Sequence, residues 1–103
     1  MRQNSDLEEL KDNAGTAADF LQLFANDKRL RILCELMEEK ELSVGALAAS
    51  VELSQSALSQ HLAKLRADGM VETRRESQTI YYRLAPDPRI RRMLSLLKRL
   101  FCP

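Results

Sequence analysis

A mainly α-helical domain carrying one small β-hairpin is the fold class that this sequence predicts, and two observations predict it. Apolar residues recur at spacings of three and four through most of the chain, the period of a helix with one buried face. Between Gly69 and Asp87 the period falls to two, that of a half-buried strand. The 103 residues suffice for one domain, 1–103, with one core. A domain this small buries only about two thirds of the surface of its unfolded chain, so apolar faces left at its ends favour oligomerisation.

In chain order, Leu7, Leu10, Ala14, Ala17, Ala18, Leu21, Phe24 and Ala25 form one stripe of a first helix over about 6–25, with Gly15 as its weak point. Asn26-Asp27 reads as the N-cap of a second helix over about 28–39. Leu30, Leu33, Cys34 and Met37 lie on one side of it and Ile32 and Leu36 on another, which predicts burial around much of its circumference. Ser43 caps a third helix over about 43–51 that carries Val44, Leu47, Ala48 and Val51. Ser54 caps a fourth over about 54–68 that carries Leu58, Leu62 and Leu65 and stops at Gly69. Only Glu52 and Leu53 separate these two helices, which is a helix-turn-helix arrangement.

A hairpin follows over 71–84: Val71 and Thr73 alternate with Glu72 and Arg74, then Ile80, Tyr82 and Leu84 with Tyr81 and Arg83. Its tip at Glu76-Ser77-Gln78 lacks the Asn-Gly or Gly of a tight primed turn, so a looser turn is expected. Asp87 and Pro88 open a last helix over about 88–101, with Ile90, Met93, Leu94, Leu97, Leu100 and Phe101 on one stripe. Four helices, a two-stranded wing and a final helix make a winged helix-turn-helix.

No apolar run reaches the roughly 18 residues of a membrane span. The N-terminus, with Arg2, Asp6, Glu8 and Glu9, lacks the apolar segment of a signal peptide, so the cytoplasm is the expected location and no membrane is expected as a partner. Cys34 and Cys102 form no CxxC, which argues against a secreted disulfide scaffold and against a clustered zinc site. The net charge of +1 hides an asymmetry. Residues 1–53 hold six Lys/Arg against eleven Asp/Glu, giving −5, and residues 54–103 hold ten against four, giving +6. An anionic partner would sit on the second half.

In a helix-turn-helix the second helix enters the major groove of DNA. With Leu58, Leu62 and Leu65 turned to the core, the free side of that helix presents Gln55, Ser56, Ser59, Gln60 and Lys64, behind the cap Ser54. Gln pairs bidentately with adenine, Ser donates or accepts at either kind of base pair, and helix N-terminal amides favour a phosphate. The same residues would suit a plain solvated face, and their position between a capped turn and a basic hairpin favours DNA. Arg74, Arg75, Gln78 and Thr79 surround the hairpin tip, where long cationic side chains reach phosphates or a minor groove. His61, the only histidine, flanks the apolar side, and it is either a DNA contact or a partly packed helix residue. It has no Cys or carboxylate cluster at metal-ligand spacing, and no GxSxG, P-loop, HExxH or paired-carboxylate constellation marks an enzyme. No cofactor is implied.

From Leu21 to Cys102 the chain resembles the ArsR/SmtB family of bacterial winged-helix repressors. The resemblance is carried by Ala25-Asn26-Asp27-Lys28-Arg29-Leu30-Arg31-Ile32-Leu33, by Leu53-Ser54-Gln55-Ser56-Ala57-Leu58-Ser59-Gln60-His61-Leu62, and by Leu65-Arg66-Ala67-Asp68-Gly69-Met70-Val71. It implies a homodimer formed by the first and last helices, an imperfect inverted repeat of double-stranded operator DNA, and an inducer that weakens DNA binding. The Cys-Val-Cys metal segment of many members falls here on Ser43-Val44-Gly45. After Asp87 the chain has no Asp, Glu or His for the family's second metal site, so the resemblance implies no metal.

Cys34 in Ile-Leu-Cys-Glu-Leu and Cys102 in Leu-Phe-Cys-Pro are similar to the dithiol of the family's sulfide- and redox-responsive branch. There the matching thiols become a disulfide or a polysulfide bridge, so the likeness implies that Cys34 and Cys102 are redox-sensing thiols. Arg31, one turn before Cys34, would favour its thiolate and Glu38 oppose it, while Lys98 and Arg99 lie one turn before Cys102. Without the likeness, Cys34 is a small residue on an apolar helix face and Cys102 a frayed end. Three rivals stand beside this reading: a regulator of another ligand with incidental thiols, a winged helix that holds only a protein partner, and a thiol oxidoreductase. The last is disfavoured by the missing CxxC and the lack of an activating base.

Overall fold

The computed structural model describes residues 2–102, with side chains from residue 7 onward; Met1 and Pro103, the ends of the expected domain, lie outside them. The helix expected over 6–25 is in fact two helices, α1 (Arg2–Asp12) and α2 (Ala14–Gln22), and the break falls at Asn13 rather than at Gly15. Asn13 sits at φ −103°, ψ 14°. Its N–H is shared between the Glu9 and Leu10 carbonyls at 3.1 Å each, and its side-chain amide donates to the Glu9 carbonyl at 2.9 Å. An asparagine that bonds the preceding turn competes with the helix ladder, which accounts for the break.

Helix α3 (Asp27–Glu39) starts where the Asn26 side chain accepts the Arg29 N–H at 3.0 Å. Ile32, Leu33 and Leu36 are fully buried and Leu30 and Met37 lie partly against the core, but Cys34 is exposed. Burial therefore covers less of this helix than its apolar spacing predicts. At its end Lys40 takes φ 68°, ψ −51°, and the Glu41 N–H donates to the Glu39 carbonyl at 2.7 Å, a γ-turn of the rarer, strained hand. Two residues, Leu42–Ser43, then form β1.

Helices α4 (Val44–Val51) and α5 (Gln55–Ala67) are capped by Ser43 and Ser54, whose hydroxyls accept the Ala46 and Ala57 N–H groups at 3.2 and 3.1 Å. Glu52 makes the turn between them in the left-handed region, at φ 56° and ψ 46°. At the end of α5 the Met70 N–H bonds the Leu65 carbonyl at 2.9 Å and the Gly69 N–H the Arg66 carbonyl at 3.1 Å. With Gly69 at φ 74° and Leu65 and Met70 both buried, this is a Schellman stop.

Strands β2 (Val71–Glu76) and β3 (Thr79–Leu84) pair from Val71↔Leu84 to Glu76↔Thr79, leaving only Ser77 and Gln78 in the loop. The looser turn expected at the tip is therefore replaced by a tight one. Of the two loop residues only Ser77 has positive φ, 58°, the pattern of a type II′ turn. The complete ladder imposes it, at a cost of about 1–2 kcal/mol for a non-glycine residue. β1 adds to β3 through Leu42↔Tyr82 and Ser43↔Tyr81, so the two-stranded wing is a three-stranded antiparallel sheet in the order β1-β3-β2. A two-residue strand is too short to show a period of two in sequence. Helix α6 (Pro88–Phe101) begins with Pro88 in its first turn and Asp87 accepting the Arg89 N–H at 3.0 Å.

One core joins Phe24, the buried faces of α3, α4 and α5, Met70 and Val71, Leu84, and Ile90 and Leu94 of α6. The Phe20 and Phe24 rings meet edge to face at 5.1 Å, and the Arg89 guanidinium lies 4.9 Å above Phe20. This fastens the start of α6 to α2.

Candidate functional site

Three turns of α5 place Leu58, Leu62 and Leu65 in the core, and the helical period then leaves Gln55, Ser56, Ser59, Gln60 and Lys64 exposed. The Ser54 oxygen is used as the cap acceptor, so its O–H proton stays free to donate to an anion. Lys64 reaches Asp68 one turn on, at 3.3 Å, and His61 is half-buried at the flank of the apolar face. Arg66 and Tyr82 join the site although sequence reasoning passed over them. Together with Ser59, Ala63 and Ala67 they line a concavity of about 490 Å³ between α5 and the sheet. Arg66 stands seven residues after Ser59, two full turns, and that spacing was the available signal.

At the wing tip Arg75, Gln78 and Thr79 are exposed, and among the described residues no ion pair engages Arg75 or Arg66. Arg74, expected to contact phosphate, has carboxylate partners within the sheet. Its Nη2 and Nε donate to the two oxygens of Glu41 at 2.7 and 3.0 Å, its Nη1 to Glu76 at 2.7 Å, and its guanidinium lies 4.6 Å from the Tyr81 ring centre. These bonds hold the Glu41 carboxyl below the usual carboxylate range and push the Arg74 guanidinium further up. Sequence neighbours thus point to opposite faces of the strand, one tied down and one in solvent.

The two cysteines, distant in sequence, line one cleft of about 590 Å³ between α3 and α6. Leu30, Met37 and Glu38 contribute from one side, Leu97, Lys98 and Phe101 from the other. Burial pushes the Cys34 thiol up, and the nearby Cys102, Glu35 and Glu38 push the same way. The help expected from Arg31 does not reach it: that side chain turns to Asp27, Nε to Oδ1 3.2 Å. Lys98 lines the cleft and Arg99 does not. Among the described residues no group of three or more His, Cys, Asp or Glu side chains is placed to hold a metal ion.

Residues 26–73, from the cap of α3 to the middle of β2, match the model of the family described as "Bacterial regulatory protein, arsR family". The transcriptional activator HlyU of Vibrio cholerae is 51% identical over 96 residues, which are 93% of this chain and 87% of that protein. The chain belongs to the ArsR family. A solved structure of reduced HlyU from Vibrio cholerae matches this ArsR-family chain with a TM-score of 0.82 at 50% identity, over 93% of this chain and 99% of that one. The transcriptional repressor BigR from Xylella fastidiosa matches with a TM-score of 0.86 at 35% identity, over 93% and 96%. These relatives are transcription regulators of the winged-helix fold, and this ArsR-family chain is a transcription regulator rather than an enzyme. The matched segment contains Cys34 but stops short of α6 and Cys102. No described helix is long and apolar enough to cross a membrane.

Proposed function

We propose that this ArsR-family regulator is a cytoplasmic homodimer that binds an imperfect inverted repeat of double-stranded operator DNA, and that bridging Cys34 to Cys102 lowers its affinity. The observation that carries the proposal is the shared cleft, which sets both thiols on the boundary between α3, a core helix of the DNA-binding unit, and α6. In this reading α5 enters the major groove with Gln55, Ser56, Ser59 and Gln60 at base edges, and Ser54, His61 and Lys64 near the backbone. The wing reaches the adjacent minor groove with Arg75, Gln78 and Thr79. The sugar-phosphate strand that separates the two grooves must pass between helix and wing, where Arg66 and Tyr82 line the concavity.

Exposed apolar side chains support the homodimer. Leu7 and Leu10 of α1 and Leu21 of α2 are more than half exposed, and on α6 Leu100 is 65% and Phe101 77% exposed. Pairing these faces across a twofold axis would bury them and set two recognition helices about 34 Å apart, one turn of DNA.

The thiol chemistry follows from the cleft. Because burial and anionic neighbours disfavour the Cys34 thiolate, Cys102 attacks the sulfur donor first and Cys34 closes the bridge. With a persulfide R–S–SH, two protein thiols become one disulfide while R–SH and hydrogen sulfide leave. With an organic trisulfide, one sulfur stays in the bridge and two thiols leave. The longer bridge spans a wider gap than the roughly 4.4–6.8 Å between Cα atoms that a disulfide requires. A bridge ties α3 to the helix that carries Leu100 and Phe101, and so re-spaces the recognition helices. A tenfold loss of affinity needs only about 1.4 kcal/mol.

The test treats wild type, Cys34→Ser and Cys102→Ser with a sulfane-sulfur donor, follows intact mass, and titrates an operator selected from random duplexes. Wild type should gain the bridge and lose DNA, and both variants should bind DNA before and after treatment. Full release of DNA by either treated variant contradicts the bridge.

A further inference from the structure

We propose that Glu41 and Arg74 form a clamp that positions the wing for DNA binding, with Arg74 acting through Glu41 rather than through a phosphate. The clamp closes across the sheet. Ser43 of β1, Tyr81 of β3 and Arg74 of β2 stand in one rung, since Ser43 pairs with Tyr81 and Tyr81 with Arg74. Glu41 lies two residues before Ser43 and meets Arg74 through two bonds of 2.7 and 3.0 Å. The ion pair therefore joins β2, one outer strand, to the residue just before β1, the other, with the Tyr81 ring of the middle strand under the guanidinium at 4.6 Å. Glu76 takes a third donor at 2.7 Å, so three of the five guanidinium N–H groups and the whole of its charge are already matched by carboxylates, which weakens its pull on a phosphate.

The anchoring end is α3. The strained turn at Lys40 carries the chain from that helix to Glu41 within two residues, and β1 offers only two pairs to the sheet. The base of the wing is held by β3 packed on α3 and by Val71 and Leu84 in the core, and the clamp adds a charged tie nearer the tip, between β2 and the turn that leaves α3. Met37 and Glu38 line the thiol cleft, and Glu41 follows Glu38 by three residues. A bridge that shifts the end of α3 is passed to the wing by this route. That second part rests on the thiol reading above, whereas the positioning role does not.

The decisive variant is Glu41→Gln, which keeps the side-chain shape and removes the charge. Reduced Glu41→Gln, with the thermal midpoint of wild type, should bind the operator about tenfold more weakly with an unchanged slope of log K against log salt concentration. Tighter binding with a steeper slope would show that Glu41 only competes with phosphate for Arg74, and unchanged affinity would show that it positions nothing. Either overturns the proposal. Arg74→Lys keeps a cation for a phosphate but loses the two-pronged pairing, so it should behave as Glu41→Gln does, and wild-type affinity there also overturns the clamp. If treated Glu41→Gln forms the bridge by mass, its further loss of affinity should be smaller than that of wild type, and an equal loss removes the coupling. A wild type that never responds to the donor defeats the thiol reading and leaves the reduced-protein comparison intact.

Discussion

At the scale of single residues, Cys34 is exposed taken as a whole, yet partial burial where it lines the cleft raises its thiol above the ordinary value, and Cys102, Glu35 and Glu38 add to the effect. The thiolate is the reactive form, so the sign is fixed: it is scarce at neutral pH and grows as pH rises through the raised value. In the Cys102→Ser variant, iodoacetamide should therefore alkylate Cys34 with a midpoint above that of a free thiol. A midpoint at or below the free-thiol value would show that Cys34 is activated instead. Residue identities on α5 were readable in the sequence because a helix repeats its faces locally. The fate of Arg74 was not, because its partner Glu41 is 33 positions away. The meeting of Cys34 and Cys102 was visible only through family likeness, since no local spacing records a contact between α3 and α6.

Whole elements show the same divide between local and distant causes. Asn26, Ser43, Ser54, Asp87 and Gly69 mark element ends in sequence as they do in structure, because a cap is made within three or four residues. The tight wing tip was hidden, since the ladder and not the Ser77-Gln78 pair dictates it. Ser77→Gly should relieve the positive φ of 58° and stabilise the protein by about 1 kcal/mol, raising the thermal midpoint by roughly 4–8 °C. A lowered midpoint would mean that the turn is more open in solution. The DNA-facing elements divide by task. Gln60→Ala should cost about 1–3 kcal/mol on the selected operator and much less on random DNA. Arg66→Ala and Arg75→Ala should each weaken binding to every sequence and reduce the salt slope by about one. Equal losses for Gln60→Ala on both DNAs, or unchanged slopes for the arginine variants, would reassign those faces.

The whole molecule is extended for its length. Its radius of gyration is 15.7 Å, against about 13 Å for a compact domain of 100 residues. The apolar stripe of α6 explains part of this: Ile90 and Leu94 are buried, Leu97 is half-buried, and Phe101 emerges from the core. A stripe that outruns its own core calls for a second surface, and a second copy of the chain supplies one. Sedimentation at micromolar concentration should show a dimer, which Leu100→Glu with Phe101→Glu should dissociate; a monomeric wild type would contradict the twofold arrangement. Regulation by the thiol bridge is tested most directly by a fluorescence-anisotropy titration of one protein preparation, reduced and then bridged, on the selected operator and on random duplex at fixed salt. The reduced form should prefer the operator by at least about 10³-fold, and bridging should remove tenfold or more of that affinity. Equal affinity of the two forms for the operator, with the bridge confirmed by mass, would contradict it.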